Sequence, residues 1–246
     1  QGNFEIGDGV SVSSYNSISI TSTSQSSGLT SAVLGGGSAA VPSTFPMGYN
    51  SFYSMKYEIS QQQYVEFLNS LTYDQQKSRT FNDPISEAGT YAMFTGFNYR
   101  NGIRILTPGN NAAIPAVYAC DATAGVENNS DDGQAIANSG MSYADLSAYL
   151  DWAALRPMTE MEFEKICRGT QTRVAGEYAW GTTEIAPINN YSAGLINDFQ
   201  ANETYTPATN GACAVAVGST VGFYGPLKVG VFATGTSGRA SSGAAY

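Results

Sequence analysis

The sequence predicts an α+β chain in which a few short helices and short strands are joined by long loops. Two helix starts carry the capping-box pattern, with Ser60 paired to Gln63 and Thr159 paired to Glu162. Polar and apolar side chains alternate at residues 17–20, as they do in a half-buried strand. The connecting segments are rich in Ser, Thr, Asn and Gly, which favour turns. Both kinds of element are therefore expected in small amounts.

Residues 141–181 contain the clearest helix signals. The first helix is expected to begin after the N-cap Ser142 and to end before Pro157, which has no N–H and disfavours helical torsion angles in the preceding residue. The second begins at Thr159 and ends at Gly169, which can adopt a left-handed conformation. The apolar positions at helical spacing are expected to be buried: Leu146, Tyr149, Leu150 and Ala153 in the first helix, and Phe163, Ile166 and Cys167 in the second.

Another amphipathic helix is expected directly after Ser60, and a strand is expected before it at residues 52–57. Thr72 with Gln75 marks a further short helix. Residues 98–104 are expected to form a hairpin whose turn is Asn-Gly at 101–102. The apolar face of the helix after Ser60 is formed by Tyr64, Phe67, Leu68 and Leu71. Short strands are also expected near residues 4–9, 212–217 and 225–232.

Composition excludes several classes of function. The 246 residues carry a net charge of −9 and contain no histidine, so a nucleic-acid backbone is an unfavourable partner and histidine-based catalysis is impossible. Charged residues make up only 13% of the chain, and uncharged polar residues dominate, which is typical of extracellular proteins. No apolar run reaches the roughly 20 residues that span a bilayer. The chain begins at Gln1 inside what reads as a domain, which suggests a segment of a longer protein.

The odd number of cysteines, three, rules out a fully paired intramolecular framework. Cys167 lies on an apolar helix face and is expected to be a buried thiol. Cys120 and Cys213 could pair, and the sequence leaves that question open.

The central stretch resembles the formylglycine-generating enzyme family, also called sulfatase-modifying factor domains. The family pattern D-A-x-A-Y-x-x-W-x-x-x-R-L-P-T-E-A-E-W-E-Y-A-x-R-G, followed by Y-x-W-G, is matched at residues 144–149, Trp152, residues 156–160, 162–164, 168–169 and 178–181. A second match covers Phe52, residues 56–60, Tyr64 and residues 67–69. The R-P-M-T-E form at 156–160 is similar to extracellular members of the Bacteroidetes type.

The resemblance implies a loop-rich domain related to C-type lectins. It also implies that the core strand and the catalytic cysteine pair of the copper-dependent oxidases lie beyond Tyr246, so the chain is expected to be non-catalytic and to hold no cofactor. Related iron enzymes use histidine ligands, which this chain lacks. Glu160, Glu162 and Glu164 are read as charges at a helix N-terminus rather than as catalytic carboxylates.

Calcium is the one metal that the sequence suggests. Residues 121–133, DATAGVENNSDDG, form an acidic, glycine-containing loop with oxygen ligands that suit Ca²⁺, although the spacing is not that of an EF-hand. The resemblance places a second candidate after the Y-x-W-G motif, at residues 189–198.

Three functions follow as hypotheses. The first is an extracellular structural or assembly protein, in which the N-terminal arm of residues 1–45 donates a strand to a neighbouring copy whose domain, residues 46–246, lacks one. The second is a binding module for a glycan or protein, built on long loops rich in Tyr, Asn, Ser and Gly. The third, a formylglycine-generating oxidase, needs a further C-terminal segment. Residues 72–138 are read as an irregular insertion in the domain.

Overall fold

A computed structural model describes residues 39–110, 113–123, 125–168, 194–205 and 225–231, with residue 183 and short strand segments at 4–6, 10–12, 18–21, 29–30, 186–187 and 212–213. The chain divides into two compact units. Unit 1 comprises Gln1–Lys56, Met158–Ile185 and Phe232–Tyr246, and unit 2 comprises Tyr57–Pro157 and Ala186–Val231.

The elements are short, in keeping with the predicted α+β, loop-rich chain. The helices of the described residues are α1 (Gln61–Asn69), α2 (Tyr73–Lys77), α3 (Tyr143–Trp152) and α4 (Glu160–Arg168). The strands are β1 (Phe4–Ile6), β2 (Val10–Val12), β3 (Ile18–Thr21), β4 (Leu29–Thr30), β5 (Ala39–Val41), β6 (Ile103–Thr107), β7 (Val117–Cys120), β8 (Ala186–Pro187), β9 (Leu195–Ile196), β10 (Thr204–Tyr205) and β11 (Ala212–Cys213). No helix among the described residues is long and apolar enough to span a membrane.

Unit 1 contains β1 to β5 and α4. β1 pairs antiparallel with β2, and β3 lies between β4, to which it is parallel, and β5, to which it is antiparallel. The strands expected near residues 4–9 and 17–20 are therefore confirmed. Helix α4 begins as predicted, because the Glu162 carboxylate accepts from the Thr159 N–H at 2.9 Å and the Glu162 N–H donates to the Thr159 hydroxyl at 3.2 Å.

The buried side of α4 differs from the prediction. Cys167 is buried as expected, but Phe163 is 49% exposed and Met161 is buried in its place. The Lys165 ammonium donates to the carbonyl oxygens of Gly48 at 2.6 Å and Asn50 at 3.0 Å, so this side of the helix faces the segment before residue 52. Because Phe163 lies two residues from both 161 and 165, about 200° around the helix, it points away from that segment.

The core of unit 2 lies between α1 and the antiparallel hairpin of β6 and β7. Tyr64, Phe67 and Leu68 of α1 are buried as predicted, and Ile103 and Tyr118 of the strands are buried as well. The Ser60 cap is also confirmed: its hydroxyl accepts from the Gln63 N–H at 3.2 Å, and the Gln63 side chain accepts from the Ser60 N–H at 3.0 Å.

Helix α3 packs on this core through Tyr149. The Tyr149 ring lies 5.6 Å from the Phe67 ring in an edge-on arrangement and 6.3 Å from the Tyr64 ring. The predicted N-cap is present, with Ser142 accepting from the Asp145 N–H at 3.2 Å. Leu146, Leu150 and Ala153 are only half-buried, whereas Asp145 is buried.

Three predicted β features are wrong. Residues 52–57 form no strand, and Tyr53 is 97% exposed, because no neighbouring segment pairs with this one in the described chain. The turn predicted at Asn101–Gly102 lies at residues 98–101 instead. Residues 225–231 form turns with a single bridge from Lys228 to Ile136 rather than a strand. The expected aromatic run at 178–181 lies outside the described residues, as does most of 212–217.

A candidate binding surface above a buried ion-pair cluster

The surface is built around a tight turn at residues 98–101. Tyr99 and Arg100 adopt left-handed backbone conformations with φ of 52° and 55°, and the Asn101 N–H donates to the Asn98 carbonyl at 3.0 Å. A Cβ atom on Gly225 would collide with the Tyr99 carbonyl, so only glycine permits this approach. Gly102, predicted as a turn residue, instead lies against Ala122, whose Cα would be 2.7 Å from an added Cβ.

The turn directs the Arg100 side chain into the interior of unit 2. Its guanidinium group forms a two-armed pair with the Glu203 carboxylate, of which the Nη1–Oε1 arm measures 3.2 Å. The same group bonds to the Asp198 carboxylate and donates to the Pro226 carbonyl at 2.7 Å. Arg100, Asp198 and Glu203 are called the Arg100 cluster below.

Glu203 connects three separate loops. It is fully buried, and its carboxylate also accepts from the backbone N–H groups of Phe199 at 3.0 Å and Lys228 at 2.9 Å. A carboxylate with this many donors is well compensated for its loss of hydration. Glu203 therefore fixes the loops at 198–203 and 225–228 to the turn at 98–101.

Three aromatic rings lie in a row beside the Arg100 cluster. Tyr91 and Phe97 have ring centroids 6.1 Å apart, and Phe97 and Phe199 have centroids 5.6 Å apart. The Arg100 guanidinium lies 4.5 Å from the Phe199 centroid, so one face of that ring makes a cation–π contact. Tyr91, Phe97 and Phe199 are called the aromatic row. Phe97, the middle ring of the aromatic row, is 41% exposed.

The other end of the row is held by Arg104. Its guanidinium lies 4.3 Å from the Tyr91 centroid, donates to the Tyr91 hydroxyl at 2.7 Å, and pairs with the Asp121 carboxylate at 3.1 Å. Burial raises the pKa of Asp121, and the nearby Arg104 charge partly opposes that shift. Each end of the aromatic row is therefore backed by an arginine that is itself paired with a carboxylate.

In the acidic loop at 121–133, the buried Asp121 pairs with Arg104, and the buried Asp132 bonds within the loop. Asp132 is fully buried and accepts from the Thr123 N–H at 3.2 Å, the Thr123 hydroxyl at 3.0 Å and the Asn129 N–H at 2.5 Å. The described part of the chain contains no group of three acidic, histidine or cysteine side chains that could hold a metal. Calcium binding here stays a prediction. Of the second candidate, residues 189–193 lie outside the described residues, and Asp198 bonds to Arg100.

Sequence reasoning missed a set of buried amide side chains that hold the loops around α1 and α2. The Gln61 amide donates to the Arg100 carbonyl at 2.7 Å and accepts from the Gly102 N–H at 2.8 Å. Gln76 likewise accepts from the Ala116 N–H at 2.8 Å and donates to the carbonyl oxygens of Ala116 and Leu68 at 2.9 and 3.0 Å. The sequence signal that could have identified Gln61 as buried is its spacing, because it lies three residues before Tyr64 and therefore on the same buried face of α1.

Cys120 does not supply a reactive group to the surface. Cys120 is a free, buried thiol, so the pair with Cys213 that the sequence left open is not formed. Burial raises the pKa of Cys120 to about 12, which makes it a poor nucleophile near neutral pH.

The described residues form short helices and strands joined by loops, and some of these loops carry aromatic side chains beside buried ion pairs. This is the organisation of a loop-rich α+β domain. The family model described as "Sulfatase-modifying factor enzyme 1-like domain" matches residues 19–234, and the chain belongs to this family. No curated protein and no solved structure gives a significant match.

Proposed function

We propose that the chain is a non-catalytic, extracellular recognition domain of this family, which binds its ligand at the aromatic row. The observation that carries the proposal is the exposed Phe97 ring, held between two rings that are themselves fixed by Arg100, which is buried, and Arg104, which is half-buried. Exposed aromatic side chains on a rigid base are favourable contact groups, because they bury a large area at a small cost in conformational entropy.

A non-catalytic role is supported by how the charged groups are used. The sequence contains no histidine. Glu203 and Asp132 are bonded to backbone N–H groups, and Asp121 is paired with Arg104. Such carboxylates hold loops in place, whereas a general acid or base must reach a substrate proton.

An extracellular location and a fold related to C-type lectins complete the proposal. Only 13% of residues are charged, and the exposed part of the chain depends on uncharged polar side chains for its solubility. The aromatic row comes from loops, at residues 91–97 and 199, that are supported by the rest of unit 2. This arrangement of ligand-contacting loops on a fixed base is the one expected of a lectin-like domain.

The proposal is tested by applying fluorescently labelled chain to intact bacterial cells and to isolated cell envelopes. Phe97→Ala should abolish retention, and Phe81→Ala, which removes a 63%-exposed ring outside the aromatic row, should leave it unchanged. Equal retention of both variants, or no retention of the wild type, would refute the proposal. Aldehyde formation in a cysteine-containing peptide, supplied with copper and oxygen, would instead show an oxidase.

A structural or assembly role is the second candidate, and a different surface favours it. Four exposed apolar side chains lie near the free end of the β6–β7 hairpin, where the Gly109 N–H donates to the Pro84 carbonyl at 2.8 Å. They are Ile85, Leu106, Ile114 and Val117, which are 36–57% exposed. Apolar patches of this kind often mark contacts between proteins. The donor-strand form of assembly is less favourable here, since β3 is already paired on both sides.

Assembly is tested by particle size, using negative-stain microscopy and light scattering. Filaments or large oligomers that disappear in Ile114→Asp but persist in Val126→Asp, a 67%-exposed control, would support self-association through this patch. A monomer at every concentration would exclude it.

A further inference from the structure

We infer that the aromatic row binds a neutral oligosaccharide. The inference rests on the proposed recognition function and specifies the ligand class of the same surface. It follows from the arrangement of the rings, the charges behind them and the polar groups beside them.

The charge distribution disfavours an ionic ligand of either sign. A cation approaching the row would meet the Arg100 and Arg104 guanidinium groups, which already cover one face of Phe199 and of Tyr91. An anion would meet Asp198, whose side chain is 48% exposed, together with the buried Glu203 behind it. The arginines and carboxylates largely neutralise each other locally, so neither sign of charge gains from binding.

A sugar ring suits an exposed aromatic surface that favours neither sign of charge. One side of a pyranose presents mainly C–H groups, which pack against aromatic faces and edges, while its hydroxyls point outward and need hydrogen-bond partners. Asn98 follows Phe97 and Asp198 precedes Phe199 in the chain, and both side chains are exposed enough to offer polar atoms to hydroxyls. The Asn98 amide makes one long bond of 3.5 Å to the Gly96 carbonyl and keeps its oxygen and its second N–H for a ligand. The Tyr91 hydroxyl is already engaged with Arg104, so Tyr91 contributes mainly its ring.

The rings also indicate the shape of the ligand. Their centroids are 5.6–6.1 Å apart, close to the length of one sugar residue, so the row accommodates two or three residues. Their planes are tilted by 46° between Tyr91 and Phe97 and by 62° between Phe97 and Phe199. A row of tilted rings cannot lie flat on a crystalline polysaccharide, whereas a soluble chain that turns between residues can follow it.

The backbone around the row is held in an uncommon conformation. Tyr99, Arg100, Asn197 and Phe199 all have φ between 52° and 62°, a region that bulky residues seldom adopt. The bonds from Glu203 and Gln61 maintain this geometry. Strained backbone at a solvent-facing site is typical of functional loops, and a prearranged row loses little entropy on binding.

The test is a binding screen of the full chain against soluble neutral oligosaccharides: glucans, mannans, galactans and xylans. Uronic-acid and sulfated glycans, crystalline cellulose and a basic peptide serve as contrasts. We expect at least one neutral oligosaccharide to bind, with an affinity that changes less than about twofold between about 0.05 and 0.5 M salt, because no charge is paired. Calorimetry then measures the variants.

Phe97→Ala should weaken that affinity by about tenfold or more, since it removes the central ring. Phe81→Ala is the matched control and should leave the affinity unchanged, because its 63%-exposed ring lies outside the aromatic row. Circular dichroism of Phe97→Ala checks its folding, and if it is unfolded, Phe97→Leu replaces it.

Three results would overturn the inference. The first is a screen in which no neutral oligosaccharide binds, and the second is a preference for acidic glycans or the basic peptide. The third is an affinity of Phe97→Ala equal to that of the wild type. The proposed recognition function fails separately, when the wild-type chain is not retained on cells. Retention that depends on Phe97 without any oligosaccharide binding would leave recognition standing and indicate a protein ligand.

Discussion

At the scale of single residues, the carboxylate of Glu203 is the group on which the loops of the proposed binding surface depend most. It is fully buried and bonds to Arg100 and to the N–H groups of Phe199 and Lys228. Breaking a buried ion pair by removing one partner typically costs about 3–5 kcal/mol, because the other charge stays buried without full compensation. We therefore expect Glu203→Gln to lower the free energy of unfolding by about 3 kcal/mol in urea titrations.

The matched control for Glu203→Gln is Asp198→Asn, which changes the other carboxylate bonded to the Arg100 guanidinium. Asp198 also bonds to Arg100, but its side chain is about half exposed, so water replaces much of what Asp198→Asn removes. A loss of less than about 1 kcal/mol is expected for this variant. Equal losses in the two variants would show that burial does not govern the strength of these contacts.

A second residue, Asp83, should contribute to the loss of stability in acid. Its bonds with the Lys77 ammonium at 2.7 Å and the Tyr73 hydroxyl at 2.6 Å lower its pKa from 3.8 to about 2. The unfolded chain then binds a proton more readily than the folded chain does. The stabilisation is complete above pH 3.8 and is lost as the pH falls through about 2.

Denaturant midpoints measured from about pH 5 down to about pH 2 test this prediction. The midpoint of the wild type should fall more steeply than that of Asp83→Asn, because the variant has no carboxylate to protonate at this site. Asp151→Asn, a change at an exposed position at the end of α3, should keep the wild-type slope. Parallel curves for the wild type and Asp83→Asn would contradict the assignment.

At the scale of elements, amide side chains on the helices bond to the backbone N–H and carbonyl groups of neighbouring loops and helices, and so hold these segments together. Gln76 of α2 satisfies one N–H and two carbonyl groups that are remote from it in sequence. Glutamate at this position could still accept but could not donate, and its charge would be buried. Since each unsatisfied buried group costs about 1–3 kcal/mol, Gln76→Glu should lower the unfolding free energy by 3 kcal/mol or more.

The same chemical change has a different expected result in α1. Gln63 only accepts at the Ser60 cap, and glutamate does this equally well, so Gln63→Glu should be nearly neutral in the same urea titration. A large loss in Gln63→Glu, or a small one in Gln76→Glu, would show that the side-chain bonds to the loops are not what stabilises the interface.

Helix starts could be predicted from the sequence because their signals are local. The caps at Ser60, Ser142 and Thr159 each involve residues three apart, and all three form. Strands and faces depend on distant partners: within the described part of the chain no segment pairs with residues 52–57, and Phe163 is turned outward by the contacts of Lys165. The aromatic row was missed for the same reason, since it joins residues 91, 97 and 199.

At the scale of the whole molecule, the absence of histidine has a consequence for pH dependence. Carboxyl groups titrate well below neutrality, and lysine and tyrosine well above it. The pKa of Cys120, at about 12, also lies far from neutral pH. With no histidine in the sequence, the net charge of −9 changes little through the neutral range.

Ligand affinity should therefore change by less than about twofold between about pH 6 and pH 7.5, as measured by calorimetry. Asn98→His provides the positive control, because an imidazole at this position gains a proton near pH 6.5 and changes from one donor and one acceptor to two donors for a sugar hydroxyl. Binding by this variant should become pH-dependent while the wild type stays flat. A several-fold change in the wild type would mean that a carboxyl group with a strongly raised pKa takes part in binding. Asp121, whose pKa burial already raises, is then the first group to replace.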